Sequence, residues 1–194
     1  GSVKALVGSY SFEALDGGKR TRVTYKLALD PGFSIPSMIK KASTKLIVGT
    51  ALNDLRKYAE KPATKELVKS LVEKTGSSQA PVVTKVAAAA EEEEMTDSVE
   101  QSIEIDATPA ECYQVAAKLD DYPKWVASLE SVQVLEAGSD GLAQEAKFAV
   151  GAFGKTLDYT LQYTHQVPQK LSWKAVAGSV KALVGSYSFE ALDG

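Results

Sequence analysis

The stretch "GSVKALVGSYSFEALDG" occupies Gly1–Gly17 and recurs, letter for letter, at Gly178–Gly194. Within it Leu183, Tyr187 and Phe189 share one parity, as do Leu6, Tyr10 and Phe12 in the first copy. Apolar residues at every second position put one face of a strand against a core. The two copies start 177 residues apart, far beyond any solenoid repeat and close to the length of a domain with a tail. Where each copy belongs decides how the rest of the chain is assembled.

Outward from the first copy, Asp16-Gly17-Gly18 has the composition of a tight hairpin turn. It leads into "KRTRVTYKLALD" (Lys19–Asp30), where Val23, Tyr25, Leu27 and Leu29 share one strand face. "PGFSIPSM" breaks the chain, and from about Ile35 to Tyr58 the pattern turns helical, with Ile39, Leu46, Ile47, Ala51, Leu55 and Tyr58 as its apolar stripe. Pro62 stops that helix. Thr64–Lys74 is a second amphipathic stretch, and Thr75–Glu94, with its runs of alanine and glutamate, has no periodicity and reads as a linker.

At Met95 a new segment opens like a reading frame. Val99–Asp106 is a strand with Ile103 and Ile105 inward; Thr108 caps a helix with Pro109 in its first turn and Cys112, Val115, Ala116 and Leu119 on its apolar side. A short helix around Tyr122–Ser128 follows. Strands are expected at about Val132–Ala137, Ala143–Val150, Lys155–Gln166 and Lys170–Ala177, and the second copy (Val180–Leu192) is the fifth. "GAFGKT" (Gly151–Thr156) lacks the first glycine of a phosphate-binding loop and lies between two strands, so it reads as a hairpin.

Composition limits the functional classes. A net charge of −3 without a basic face gives no reason to expect nucleic acid. No apolar run approaches the ~20 residues that cross a bilayer. A single cysteine, Cys112, allows no intrachain disulfide and fits a reducing, cytoplasmic compartment. With one histidine, His165, and one cysteine, no imidazole–thiolate metal site can be assembled, and no cofactor motif is present. The absence of a Met at position 1 and the start-like Met95 favour tandem units or a fusion.

Read from Met95 onward and continued into the front of the chain, the elements run strand, two short helices, six strands and one long helix. That order, carried by "IEIDATPAECYQVAAKLDDYPKW", "VGAFGKTLDYTLQY", "LSWKAVAGSVKALVGSYSFEAL", "TRVTYKLALDPGFSIP" and "KLIVGTALNDLRKYAE", resembles the helix-grip fold of the START/Bet v 1-like superfamily (SRPBCC). It is most similar to bacterial polyketide cyclase/dehydrase and lipid-transport-like proteins, relatives of the coenzyme Q-binding START proteins. The resemblance implies an α+β fold: a curved antiparallel sheet of about seven strands around a long C-terminal-type helix, with two short helices and an apolar cavity between sheet and long helix. On this reading residues 1–61 supply the last strands and long helix of a unit, 62–98 a short helix and flexible linker, and 99–194 its first strand, two short helices and strands two to six.

In that order the duplicated stretch is a single strand between the Trp173 strand and the Tyr25 strand. One sheet has one place for it, so the chain is a window of an array, a circular permutant with overlapping ends, or one partner in a strand-swapped assembly of identical copies. An idle strand exposes unpaired backbone groups and templates association, so both copies are expected to be paired. Strand parity and the resemblance together place Trp125, Phe148, Tyr159, Tyr163, Trp173, Tyr187, Tyr25 and Leu46 on the cavity wall as ligand-binding residues. Aromatic rings with polar tips suit a lipid, quinone or polyketide-like molecule. The expected function is a hydrophobic small-molecule binding module. The rivals are a structural repeat that builds filaments or arrays, and a cyclase/dehydrase enzyme in which His165 and inner tyrosines act as acid and base. His165 is the sole catalytic candidate, and no paired carboxylates share the inner face.

Overall fold

A computed structural model describes residues 20–74, 98–152 and 154–192. Strand β1 (Arg20–Asp30) leads into α1 (Ser37–Ala59) and α2 (Pro62–Lys74). Then come β2 (Ser98–Ile105), α3 (Pro109–Ala117), a 3₁₀ helix (Leu119–Lys124), and strands β3 (Leu129–Ala137), β4 (Ala143–Ala152), β5 (Lys155–Gln166), β6 (Lys170–Gly178) and β7 (Ala182–Leu192). The seven strands form one antiparallel sheet in the order β2-β1-β7-β6-β5-β4-β3. The later copy of the duplicated stretch is β7, seated between β6 and β1. The earlier copy, and with it any pairing of Leu6, Tyr10 and Phe12, lies outside the described residues, as do the alanine and glutamate runs.

The sheet joins the front of the chain to its back. In the β1–β7 ladder Val23 faces Phe189, Tyr25 faces Tyr187 and Leu29 faces Leu183, while Arg20 pairs with Leu192. On its other edge β1 pairs with β2, placing Val23 opposite Ile103 and Leu27 opposite Val99. The odd-numbered side chains from Thr21 to Leu29 are all buried, as period-two alternation requires when one face meets a core.

The long helix is α1, in the N-terminal third of the chain rather than at the C-terminus. Its buried stripe is also rotated from the one expected: Thr44, Val48, Leu52, Leu55 and Ala59 are buried, whereas Ile39 is 53% and Leu46 70% exposed. Apolar residues occur around much of the helix, so spacing alone does not single out one face. Thr44 enters the apolar stripe because its hydroxyl is satisfied locally, donating to the Lys40 carbonyl at 2.9 Å. Beyond Glu60, Pro62 opens α2, where a missing N–H costs nothing. The region after Pro62 therefore begins with a thirteen-residue helix.

Thr108 closes a capping box at the start of α3: its Oγ1 accepts from the Glu111 N–H, and the Glu111 carboxylate accepts from the Thr108 N–H at 2.8 Å. The 3₁₀ helix is held by Asp121, bridged to Lys124 at 2.6 Å and Lys118 at 3.1 Å. The second short helix thus comes earlier than expected, because Asp120 and Asp121 favour the start of a helical turn and Pro123 limits it to six residues.

Side chains reinforce the join between front and back. Gln101 Nε2 on β2 donates to the Lys45 carbonyl of α1 at 3.0 Å. The Asp106 N–H donates to Glu60 Oε1 at 3.1 Å. Thr21, fully buried in β1, donates its hydroxyl to the Ala107 carbonyl at 2.6 Å. Thr21→Val keeps the shape and removes this donor, leaving a buried carbonyl short of a partner. The expected cost is about 1–3 kcal/mol, read as a lower urea midpoint at unchanged m-value. An unchanged midpoint would show that β1 and the segment after β2 do not share one core.

Candidate functional site

Between one face of the sheet and α1 lies a cavity of about 390 Å³, within the range of roughly 300–1,000 Å³ that holds small molecules. All eight side chains expected on its wall line it: Tyr25, Leu46, Trp125, Phe148, Tyr159, Tyr163, Trp173 and Tyr187. Strand alternation brings most of them together. Leu157, Tyr159, Leu161 and Tyr163 occupy successive inward positions of β5, and Trp173 on β6 sits directly opposite Tyr163.

The rings form two groups. On β1, β6 and β7, the Tyr25 centroid lies 4.5 Å from that of Tyr187 and 5.6 Å from that of Trp173, and Trp173 lies 5.3 Å from Tyr187. Around the 3₁₀ helix, Tyr122 meets Trp125 edge-on at 4.7 Å, and Phe148 stacks on Tyr159 at 5.8 Å. These separations are those of attractive aromatic pairs, so the rings brace one another.

Gly185 is a position the sequence reading missed. It falls on the inward parity of β7, where a side chain would be expected, but a Cβ there would come within 2.6 Å of the Trp173 indole. Leaving out a side chain lets the Trp173 ring lie against β7. An inward glycine amid alternating apolar residues is the signal that marks such a seat.

Sequence reasoning also missed Tyr122 and Asp54. Tyr122 directs its hydroxyl to the Ala116 carbonyl at the end of α3, so its ring faces the cavity with the polar tip already satisfied. Asp54 lies one turn along α1 from Thr50 and Ala51, on the helix face turned to the cavity. Its signal was position alone: residues 43, 46, 47, 50, 51 and 54 recur at three- and four-residue steps. Leu46 is at the rim, consistent with its exposure, together with exposed Thr50, Ser128 and Gly151.

His165 continues the inward face of β5 beyond the cavity and is not among its lining residues. In the neutral ring, Nε2 donates to the Ala143 carbonyl at 2.7 Å and Nδ1 accepts from the Tyr113 hydroxyl at 2.7 Å. Both ring nitrogens are engaged in tying β5 to β4 and α3. Cys112 is fully buried on α3. Among the described residues, no group of three or more His, Cys, Asp or Glu side chains is placed to hold a metal ion, and no helix is long and apolar enough to cross a membrane.

Burial sets the protonation of the site. Tyr25, Tyr163 and Tyr187 are held well above their ordinary value of 10.0, first by burial and then by neighbouring groups. Burial pushes the Cys112 thiol from 9.0 up to about 12, although the Thr21 hydroxyl pulls it the other way. An acid whose pKa rises on folding stays protonated where the unfolded chain has already released its proton. Stability is therefore full below the ordinary value and is lost as pH climbs through the folded value. The expected outcome is a denaturation midpoint that is level up to about pH 9 and falls between 9.0 and about 12, with tyrosinate absorbance appearing as the circular dichroism of the fold disappears. Ionisation of all the tyrosines at their ordinary value in a still-folded protein would contradict it.

Comparison with known proteins adds the following. Residues 105–194 match the family model described as polyketide cyclase / dehydrase and lipid transport. Among solved structures, a START superfamily protein from Mycobacterium smegmatis is 12% identical, with a TM-score of 0.34 over 42% of this chain and 70% of that one. A protein from Thermus thermophilus, known from a crystal structure, is 14% identical, with a TM-score of 0.34 over 45% of this chain and 69% of its own. No curated protein matches the chain. The family match covers β3 to β7 with α3 and the 3₁₀ helix, in the C-terminal half of the chain.

Proposed function

We propose that the chain is a non-catalytic module that takes up a hydrophobic small molecule, of lipid, quinone or polyketide type, in the cavity between the sheet and α1. The observation that carries this reading is the cavity itself: about 390 Å³ walled mostly by aromatic and aliphatic side chains. Apolar walls supply affinity through the area they remove from water, and the few polar tips supply orientation. The family description, which names lipid transport alongside cyclase and dehydrase activities, supports the same class of ligand. Trp125, Phe148, Tyr159, Tyr163, Trp173, Tyr187, Tyr25 and Leu46 are the proposed contact residues.

The chain has two tryptophans, and both line the cavity, so their fluorescence reports directly on an occupant. Titration with a monoacylglycerol, a fatty acid, a short-chain ubiquinone and a flat aromatic polyketide is expected to change that fluorescence and raise the melting temperature for at least one of them. No response to any member of the panel would overturn the proposal.

A second reading rests on the duplicated stretch and concerns assembly. We propose that copies of the chain share strands or repeat in tandem, as an array or filament in which the seventeen-residue segment of one copy completes the sheet of another. The place between β6 and β1 is filled by Ala182–Leu192, and residues 5–15 carry the same side chains in the same order. A second identical segment has no unfilled place in that sheet, and it can enter a neighbouring copy only where that copy's Ala182–Leu192 gives up its place. Size-exclusion chromatography with light scattering should show concentration-dependent species above the 20.7 kDa monomer, reduced to monomer when residues 1–17 are deleted. A strict monomer at all concentrations would exclude strand sharing.

A further inference from the structure

We infer that the place between β6 and β1 is an exchange site within one molecule: Ala5–Leu15 takes it in the register now held by Ala182–Leu192, so the chain has two closed forms of one sheet. The exchange needs neither a ligand nor a neighbouring copy, and so goes beyond both readings above. The β1–β7 ladder runs from Arg20 opposite Leu192 to Asp30 opposite Ala182. The same side chains stand 177 residues earlier, at Leu15 and Ala5. An unchanged register therefore sets Leu15 opposite Arg20, joined to it by Asp16, Gly17, Gly18 and Lys19. A link of this length, rich in Asp and Gly, is an ordinary hairpin connection.

The β6 edge accepts the same replacement. Trp173 lies opposite Gly185, and Leu171 opposite Tyr187; Gly8 and Tyr10 repeat those two partners. A Cβ at residue 185 would come within 2.6 Å of the Trp173 indole, which is packed among Tyr25, Tyr163 and Tyr187. A strand without glycine at this point does not fit, and the earlier copy carries one. Leu6 and Tyr10 likewise repeat Leu183 and Tyr187, which line the cavity from β7, so both forms wall the cavity alike. Identical contacts cancel from the balance, which then rests on the connections. Ala182–Leu192 enters through a short link from β6, Ser179–Lys181, but is separated from β1 by residues 31–181. Ala5–Leu15 reverses this. The longer ladder, to β1, becomes local, and only the shorter one, Lys170–Lys174 with Val184–Ser188, is closed from afar. Closure entropy grows slowly with loop length, so neither copy holds a decisive advantage.

Paired substitutions in the full chain, refolded from urea so that both copies compete for the place, test the exchange. Gly185→Val spoils one copy and Gly8→Val the other. Each alone is expected to leave the melting temperature within about 4 °C of wild type, because the intact copy fills the site. The two together should lower it by about 10 °C or abolish the cooperative transition. Phe189→Asp and Phe12→Asp repeat the comparison at a second position, where Phe189 is buried in the core. At the lowest measurable concentration, light scattering should report a monomer for each single variant, with its melting temperature unchanged by dilution. Gly185→Val or Phe189→Asp alone falling as far as its double variant would overturn the inference, because Ala5–Leu15 would have failed to take the place. Rescue that fades on dilution, together with species above the monomer, would also overturn it and would leave strand sharing between copies in its stead.

Discussion

The β1–β7 ladder holds the architecture together. Each strand has eleven residues, and their pairing joins the Tyr25 strand, which leads into α1, to the sheet built from the back of the chain. Without it β1 and β7 would each present an unpaired edge, and the β2–β1 pair that leads into α1 would part from the other five strands. Register is strongly specified here. A slip of one residue would turn Val23, Tyr25, Leu27 and Leu29 to the opposite face of the strand. The hydroxyl of Thr21, committed to Ala107, adds a polar constraint to the same alignment.

From that register follows the shape of the cavity. Tyr25 and Tyr187 are cross-strand partners, Leu27 faces Gly185, and Gly185 in turn faces Trp173. A leucine, a missing side chain and a large ring lie side by side in adjoining strands, so the Trp173 indole can lie against β7. The helix contributes from two sides at once. Its 44/48/52/55/59 stripe is buried, while residues 46, 47, 50, 51 and 54 look onto the open volume. Interiors normally close to crystal-like density. Here the braced aromatic pairs resist that closure, because a ring cannot shift without losing contact with its partner.

Much of this was legible in the sequence because strands announce themselves by parity. The boundaries of β5 were read to the residue, and the inward series Leu157, Tyr159, Leu161, Tyr163 follows from alternation alone. The place of β7, between the Trp173 and Tyr25 strands, is what the helix-grip resemblance implies; alternation alone does not give it. The orientation of α1 was not legible, since apolar residues sit around much of its circumference and burial depends on which neighbours arrive. Thr44 is buried against its type, and Leu46 exposed against its own, for that reason. Gly185, Tyr122 and Asp54 were missed for a related one: each matters through what it stands beside, and local spacing does not encode a tertiary neighbour.

The disposition of polar groups bears on what the cavity does. Proton transfer calls for a group whose pKa lies near the working pH, within reach of the substrate. The one histidine has both ring nitrogens in hydrogen bonds and stands outside the lining. The lining tyrosines have been moved away from neutrality by their own burial, and the Tyr122 hydroxyl is committed to the Ala116 carbonyl. Among the described residues that line the cavity, what remains are donors that keep their protons and one carboxylate, Asp54. Fixed donors in an apolar chamber orient a molecule and discriminate between heads of different charge.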